Sequence, residues 1–284
     1  MTAVKATIHG AVSIVNAIAT GKGSTLGINP KVEAKIERSP GTGIILESEN
    51  ENISSKLIKK TIEKIVSKKQ LQKVKLRVVL ESEIPTGYGL KSSSAISTVV
   101  ALCCAKLFKP QKNDSQILLA GVNASIETKV SLTGAFDDAC ACFYGGFLVT
   151  DNYNRKIICS KKAPSNLRVV VFIPKSRKRG NIKKLKTLDV IFDRAWNFAK
   201  NSDYWNAMIL NGLATSSILN SSPKIITNLV GNGAIGASIS GNGPAIAAVA
   251  KPSNISNIKK VFSHLEGRIN VFQINNKKAV VHEL

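Results

Sequence analysis

The sequence predicts an α+β fold in two parts, and three observations carry that expectation. Short β-branched or alternating stretches are interleaved with longer segments of helical periodicity. The second half alternates strands and helices in the manner of an antiparallel sheet covered by helices. A polar stretch over 151–165, with Lys161, Lys162 and Pro164, separates two segments of a chain of 284 residues, each long enough to bury a core. The expected parts are 1–155 and 156–284.

Residues 4–8 and 32–36 alternate apolar and polar side chains, and Gly21, Gly23, Gly27, Pro30, Gly41 and Gly43 punctuate them, which predicts strands joined by turns. Leu57, Ile58, Ile62, Ile65 and Val66 recur at helical spacing within 54–69, ahead of a β-branched strand at 74–80. Helices follow from Ser92 to about Phe108 and over 115–127. Asp137 and Asp138 open an Ala/Cys-rich helical segment that Gly145-Gly146 stops, and 147–150 returns as a strand. Beyond the polar stretch come a strand at 167–173, a basic loop, helices at 188–200 and 204–219, and strands at 234–240 and 245–250. A helix at 256–265 and strands at 269–274 and 279–282 end the pattern.

Composition excludes several classes. With 44% hydrophobic and 20% charged residues, the chain is neither disordered nor fibrous. Its cysteines (Cys103, Cys104, Cys140, Cys142, Cys159) form no Cys-x-x-Cys pair and only 3 His accompany them, so a disulfide framework, structural zinc and haem attachment are poor readings and a reducing cytosol is expected. No apolar run reaches the length of a membrane-spanning helix. The apolar stretch at 11–19 imitates a leader, but Ser13 and Asn16 interrupt it, and a strand and loop are expected there. Lys+Arg outnumber Asp+Glu by 40 to 18, a formal charge of +22 that attracts anions. Aromatic residues make up 5%, few for stacking on bases, and an anionic substrate such as a nucleotide suits the charge better.

The strongest chemical signal is 85–95, Pro-Thr-Gly-Tyr-Gly-Leu-Lys-Ser-Ser-Ser-Ala. Gly87 and Gly89 allow a sharp turn and a close approach to a ligand, and Ser92, Ser93 and Ser94 begin a helix whose free N–H groups and dipole suit a phosphate, with Lys91 alongside. A Ser-capped helix needs only one cap, whereas two glycines, a lysine and three serines coincide here. The P-loop pattern is absent, and Gly231-Asn-Gly-Ala-Ile-Gly236 precedes a strand instead of opening a helix, the wrong context for a dinucleotide. Asp137 and Asp138 lie among small and apolar residues, which suits either a helix start or a cleft carboxylate that accepts a proton or binds a metal. Ser240-Gly-Asn-Gly-Pro244 sits between two strands as a turn.

Together these motifs resemble the GHMP kinase superfamily. Residues 85–95 are similar to its Pro-x-Gly-x-Gly-Leu-[Gly/Ser]-Ser-Ser-Ala motif, with Lys91 in place of a small residue and one extra Ser; 240–245 is similar to its glycine-rich third motif. Asp138, seven residues before Gly145, matches the catalytic Asp of mevalonate-kinase-like members, and Glu127, eleven residues earlier, matches their metal-binding Glu. The first motif departs: Ala11 stands where a basic residue is usual, so the partner of the Asp must come from elsewhere. The stretch from Gly10 to Ala17, the Thr20-Gly-Lys-Gly23 loop, the Gly-Leu-Lys-Ser-Ser-Ser-Ala turn and Thr133 to Asp138 most resemble the archaeal shikimate kinases, over about 6–250.

The resemblance implies an N-terminal α/β domain with a left-handed βαβ crossover, a ferredoxin-like C-terminal domain, and ATP between them. It implies ATP-dependent phosphorylation of the shikimate 3-hydroxyl, in the cytoplasm and in aromatic amino-acid biosynthesis. ATP would be held by Pro85, Thr86, Gly87, Tyr88, Gly89, Leu90, Lys91, Ser92, Ser93, Ser94, Ala95, Gly241 and Gly243, and Mg²⁺ by Ser93 and Glu127. Asp138 and Lys91 would be catalytic; Lys22, Asp137, Asp138 and Arg179 would meet the substrate. Neither nucleic acid nor membrane is an expected partner, and a homodimer is compatible with the resemblance. The alternatives are a GHMP kinase for another small alcohol such as homoserine, or a basic nucleic-acid-binding α/β protein.

Overall fold

A computed structural model describes residues 2–48, 53–131, 133–178 and 180–284. Strand β1 (Thr2–Val15) alternates cleanly at its start: Val4, Ala6 and Ile8 are buried while Lys5, Thr7 and His9 are half exposed, the mark of a strand with one face on a core. It runs antiparallel to β2 (Lys22–Pro40), which also pairs with β4 (Val74–Ser82). Strand β3 (Gly43–Ser48) lies parallel to β4 at the sheet edge, and α1 (Ser55–Ile65) and α2 (Lys68–Leu71) connect the two as a βαβ crossover. Helices α3 (Ser92–Phe108), α4 (Asp114–Glu127) and α5 (Phe136–Tyr144) follow. Then β5 (Phe147–Asp151) pairs with the first part of β2, and β6 (Lys156–Lys161) pairs with β5.

The remainder builds a second sheet. Strand β7 (Arg168–Pro174) leads through a 3₁₀ helix (Ile182–Leu188) to α6 (Asp189–Lys200), α7 (Tyr204–Ile218) and α8 (Pro223–Gly231). Strands β8 (Ala234–Ile239) and β9 (Ile246–Ala250), helix α9 (Ile255–Val261) and β10 (Gly267–Gln273) complete it in the order β10-β7-β9-β8, the βαββαβ pattern of a ferredoxin-like unit. Strand β11 (Val280–Glu283) returns to pair with β1.

Helix α3 is the central strut. Its buried residues, from Ser92 to Ala105, fall on every face, as in a helix enclosed by neighbours. The second sheet is covered on both sides: Val169, Val171 and Ile173 of β7 join the large core that also holds the side chains of α3, while Val170 and Phe172 join a second cluster with Ile226 and Leu229 of α8 and Ile258 of α9. The period of two thus splits one strand between two apolar clusters.

Several details differ from the expectation. Residues 54–69 hold two helices because Ser67 caps α2 with its side chain, in a capping box with Gln70. The stretch 151–165 contains β6, whose Ile157 and Ile158 pack on the first core. A cut at 155/156 therefore separates hydrogen-bonded neighbours β5 and β6, and β11 crosses back to the first sheet. Strand β3, helix α8 and the 3₁₀ helix within the basic loop are additional.

Candidate active site

The site starts with backbone geometry. Gly87 (φ 87°), Gly89 (φ 84°) and Lys91 (φ 69°) all adopt left-handed conformations in the turn before α3. At Gly89 a Cβ would collide with the carbonyl oxygen of Ser240, so only glycine fits. Through that contact the turn docks on 240–245: the Ser240 hydroxyl donates to the Gly89 carbonyl (2.8 Å), and the Ala245 N–H to that of Tyr88 (3.2 Å). The glycine turns of the two halves interlock. Helix α3 then begins at Ser92 with no side-chain cap on its first N–H groups, so the capping alternative for the serines is not realised and the amide groups of 92–94 open onto a cleft.

Lys91 turns inward. Its side chain is only 4% exposed, and Nζ lies 2.8 Å from Asp138 Oδ1 and 2.7 Å from the Ser13 hydroxyl. Ser13 in turn accepts from the Gly241 N–H (3.0 Å), and its own N–H donates to the Ser240 hydroxyl (3.2 Å). Asn16 donates from its side chain to the Gly241 carbonyl (2.7 Å), and its N–H reaches Asn211 Oδ1 (2.8 Å). The end of β1, both glycine turns and α7 are thus tied together around one ammonium group. Lys91 supplies the cation that Ala11 does not.

The two acidic residues at the start of α5 have different surroundings. Asp138 faces Lys91 with its side chain 18% exposed. Asp137 is buried and held from below: Asn152 Nδ2 donates to Asp137 Oδ1 (2.7 Å), the Asp137 N–H donates to Asn152 Oδ1 (3.1 Å), and the Thr150 hydroxyl fixes that same oxygen (2.9 Å). Gly23 lies so close that a Cβ there would collide with Asp137 Oδ2. Burial first, and the Asp138 charge second, push the Asp137 carboxyl up to about 7.

The cleft has a volume of about 470 Å³. Of the expected residues, Gly87, Gly89, Lys91, Ser92, Ser93, Ser94, Asp137, Asp138 and Gly241 line it. Leu90 and Ala95 are buried behind it, and Tyr88 lies under the Arg177 guanidinium, 5.2 Å from the ring centroid. Pro85, Thr86 and Gly243 shape the turns without lining the cleft. Three expectations need correction or fall elsewhere. Lys22 pairs with Asp193 of α6 (3.0 Å), sits over the Trp196 ring and does not line the cleft. Glu127, expected on a metal with Ser93, is drawn outward by Lys64 and Lys60 and does not line the cleft. Arg179 lies outside the described residues.

Sequence reasoning missed Ser13 and Asn16, although a signal was there: they are the two polar interruptions of an otherwise apolar stretch. It also missed Lys129 and Lys183 on the cleft walls. The donor set suits phosphates, with helix amides, hydroxyls and an ammonium. Among the described residues no group of three or more His, Cys, Asp or Glu could hold a metal ion; a cleft hydroxyl such as that of Ser93 would suit Mg²⁺ brought in on the phosphates.

Comparison with known proteins agrees with this geometry. Residues 56–146 match the GHMP kinases N terminal domain. A shikimate kinase of Methanosarcina mazei is 34% identical over 278 residues, covering 95% of this chain and 94% of that protein. One from Methanothrix thermoacetophila is also 34% identical, over 277 residues, covering 96% and 94%. Among solved structures, a homoserine kinase from Cytophaga hutchinsonii superposes with a TM-score of 0.76 at 18% identity, covering 99% of this chain and 97% of that one, a likeness of fold. With interlocked glycine turns, an uncapped helix start and a lysine–aspartate pair in one cleft, and with relatives matched over more than nine-tenths of both chains, the chain belongs to the archaeal shikimate kinase family of the GHMP kinases.

Proposed function

We propose that the protein transfers the γ-phosphoryl group of ATP to the 3-hydroxyl of shikimate. The observation that carries the reading is the Lys91–Asp138 pair, set where the uncapped start of α3 meets the glycine turn of the other half. The amides of 92–94 and the flexible backbone of Gly87 and Gly89 would cradle the phosphates, and the α3 dipole favours their charge. Phosphoryl transfer asks the protein for positioning and charge stabilisation above all. Asp138 accepts the proton of the acceptor hydroxyl, whose oxygen then bonds to phosphorus as the bond to the ADP oxygen breaks. Lys91 orients Asp138 through their ion pair, and Ser13 holds the ammonium in place. Mg²⁺, carried on the phosphates with the Ser93 hydroxyl, would supply further screening of their charge. Asp137, anchored by Asn152, forms part of the floor on which the acceptor rests.

We place the enzyme in the cytosol. Its described cysteines are free, and four of them are buried. No described helix is long and apolar enough to cross a membrane. The test is ADP release with Mg-ATP against shikimate, homoserine, mevalonate and galactose, with Asp138→Asn beside the wild type. Shikimate-dependent turnover that falls by about 10²-fold or more in the variant is expected. Turnover with another alcohol of the panel, or near-normal rates in the variant, would overturn the substrate or the base respectively.

A further inference from the structure

Among the described residues three lysines line the cleft: Lys91, Lys129 and Lys183. Lys91 is spent on Asp138 and Ser13. Lys129 and Lys183 form no ion pair among the described residues, and they stand on different walls. Helix α4 packs on α3 with Gly121 against Ser97, and Ser125, one turn further along, lines the cleft. Lys129, in the turn that closes α4, therefore lies on the side of the phosphate-holding helix start.

Lys183 belongs to the other wall. It is the second residue of the 3₁₀ helix, whose Leu185 is fully buried and whose start is fixed by Asn181, the side chain of which accepts from the Lys183 N–H (3.0 Å). Ile182 packs into the same apolar cluster as Ile18, so this turn adjoins the connection between β1 and β2. Just before that connection Ser13 of β1 touches Lys91, and just after it Gly23 of β2 abuts Asp137. The acceptor side of the cleft thus has Asp137 and Asp138 as its floor, Ala17, Ile18 and Ile182 as an apolar wall, and one lysine without an ion pair among the described residues, Lys183. An apolar wall with one placed charge suits a small ring that carries a carboxylate.

We infer that Lys183 binds the carboxylate of the acceptor and is the residue that makes the enzyme select an acidic alcohol. The inference rests on the acceptor reading above. It assigns to Lys183 the role that the sequence suggested for Arg179, and it gives Lys129 to the nucleotide phosphates.

The experiment measures steady-state ADP release by the full chain with shikimate and with its neutral methyl ester, for wild type, Lys183→Ala, Lys183→Arg, Arg179→Ala and Lys129→Ala. Lys183 is exposed, and a thermal melt verifies that each variant is folded. Lys183→Ala should raise KM for shikimate by about 10- to 100-fold, as expected for a lost hydrogen bond between charged groups, with kcat and KM for ATP within about twofold. Lys183→Arg should recover most of the loss. On the methyl ester, wild type and Lys183→Ala should be alike, and Lys129→Ala should raise KM for ATP instead. An unchanged KM for shikimate in Lys183→Ala, an equal loss on acid and ester, or the whole effect in Arg179→Ala would overturn the inference alone. Wild-type enzyme silent with shikimate would overturn the acceptor reading and this inference with it.

Discussion

The glycine turn before α3 and the basic loop after β7 each bring a lysine to the same cleft, by opposite means. Lys91 sits in a left-handed backbone conformation, nearly enclosed, with its ammonium group shared between Asp138 and Ser13. Lys183 projects from a short 3₁₀ helix anchored by an apolar residue two positions on, Leu185, and Lys183 itself is exposed. A buried pair must be complete or the remaining charge is stranded, whereas an exposed cation can be removed at little cost to the fold. The enclosed lysine is thus bound up with stability and chemistry together, and the exposed one is free to specialise in recognition.

The comparison can be broken most severely at Lys91. Lys91→Met leaves Asp138 facing a cleft without its cation, which should destabilise the fold by about 3 kcal/mol and abolish turnover. Urea unfolding and ADP release measure the two effects, and adding Asp138→Asn should restore stability without activity. A Lys91→Met enzyme as stable as wild type would show that the pair carries little strain when broken.

Next in size is Gly89→Ala. The new Cβ meets the Ser240 carbonyl in a conformation that L side chains rarely adopt, so the two glycine turns must part. A loss of about 1–3 kcal/mol and a raised KM for ATP are expected. Unchanged ATP affinity would mean that the docking of the turns does not shape the phosphate site.

Asp137 sharpens the comparison through pH. Its carboxyl is pushed up to about 7 in the folded protein, against about 3.9 in the unfolded chain. Between those values the folded state holds a proton that the unfolded state has released. Stability from this group is therefore full below about pH 4, declines as pH rises, and levels off above about pH 7. Urea midpoints measured from pH 4 to 8 should slope downward in wild type and lose that component in Asp137→Asn; the same slope in both would assign it to other groups.

The smallest effect is expected at Glu127, whose partners Lys60 and Lys64 lie on the surface. Glu127→Ala should change stability by no more than about 1 kcal/mol and leave kcat within about twofold. A tenfold fall in kcat that excess Mg²⁺ relieves would return this carboxylate to the metal.

What could be read from the chain divides along the same line. The start of α3 was legible because glycine, lysine and serine must be adjacent in sequence to make one turn. Asp137 and Asp138 stood out because acidic residues are scarce in this basic chain and rarer still among small apolar neighbours. Pairings between distant elements were not legible: nothing local ties Lys91 to Asp138, or Ser13 to Gly241 in the other half. Nor did spacing show that Glu127 would pair with Lys60 and Lys64 outside the cleft lining, since a position in a motif does not say which way a side chain at a helix end will turn when two lysines stand nearby. Some secondary structure left a trace that went unread. Ile182, Leu185 and Leu188 recur every third residue, the period of a 3₁₀ helix, and Ser222-Pro223 is a cap followed by proline at the first position of α8. Strand β6 hides among lysines because only the short run Ile157, Ile158 and Cys159 packs on the core.

The central claim is that Lys91 and Asp138 work as one unit, and a double-mutant cycle on kcat tests it most directly. The rates of Lys91→Met, Asp138→Asn and the combined variant are compared with wild type under saturating Mg-ATP and shikimate. If the two residues act together, the double variant should lose about as much as the worse single variant, as members of a catalytic unit do. Losses that multiply would contradict the account, because they would mean that the ammonium and the carboxylate serve the reaction independently.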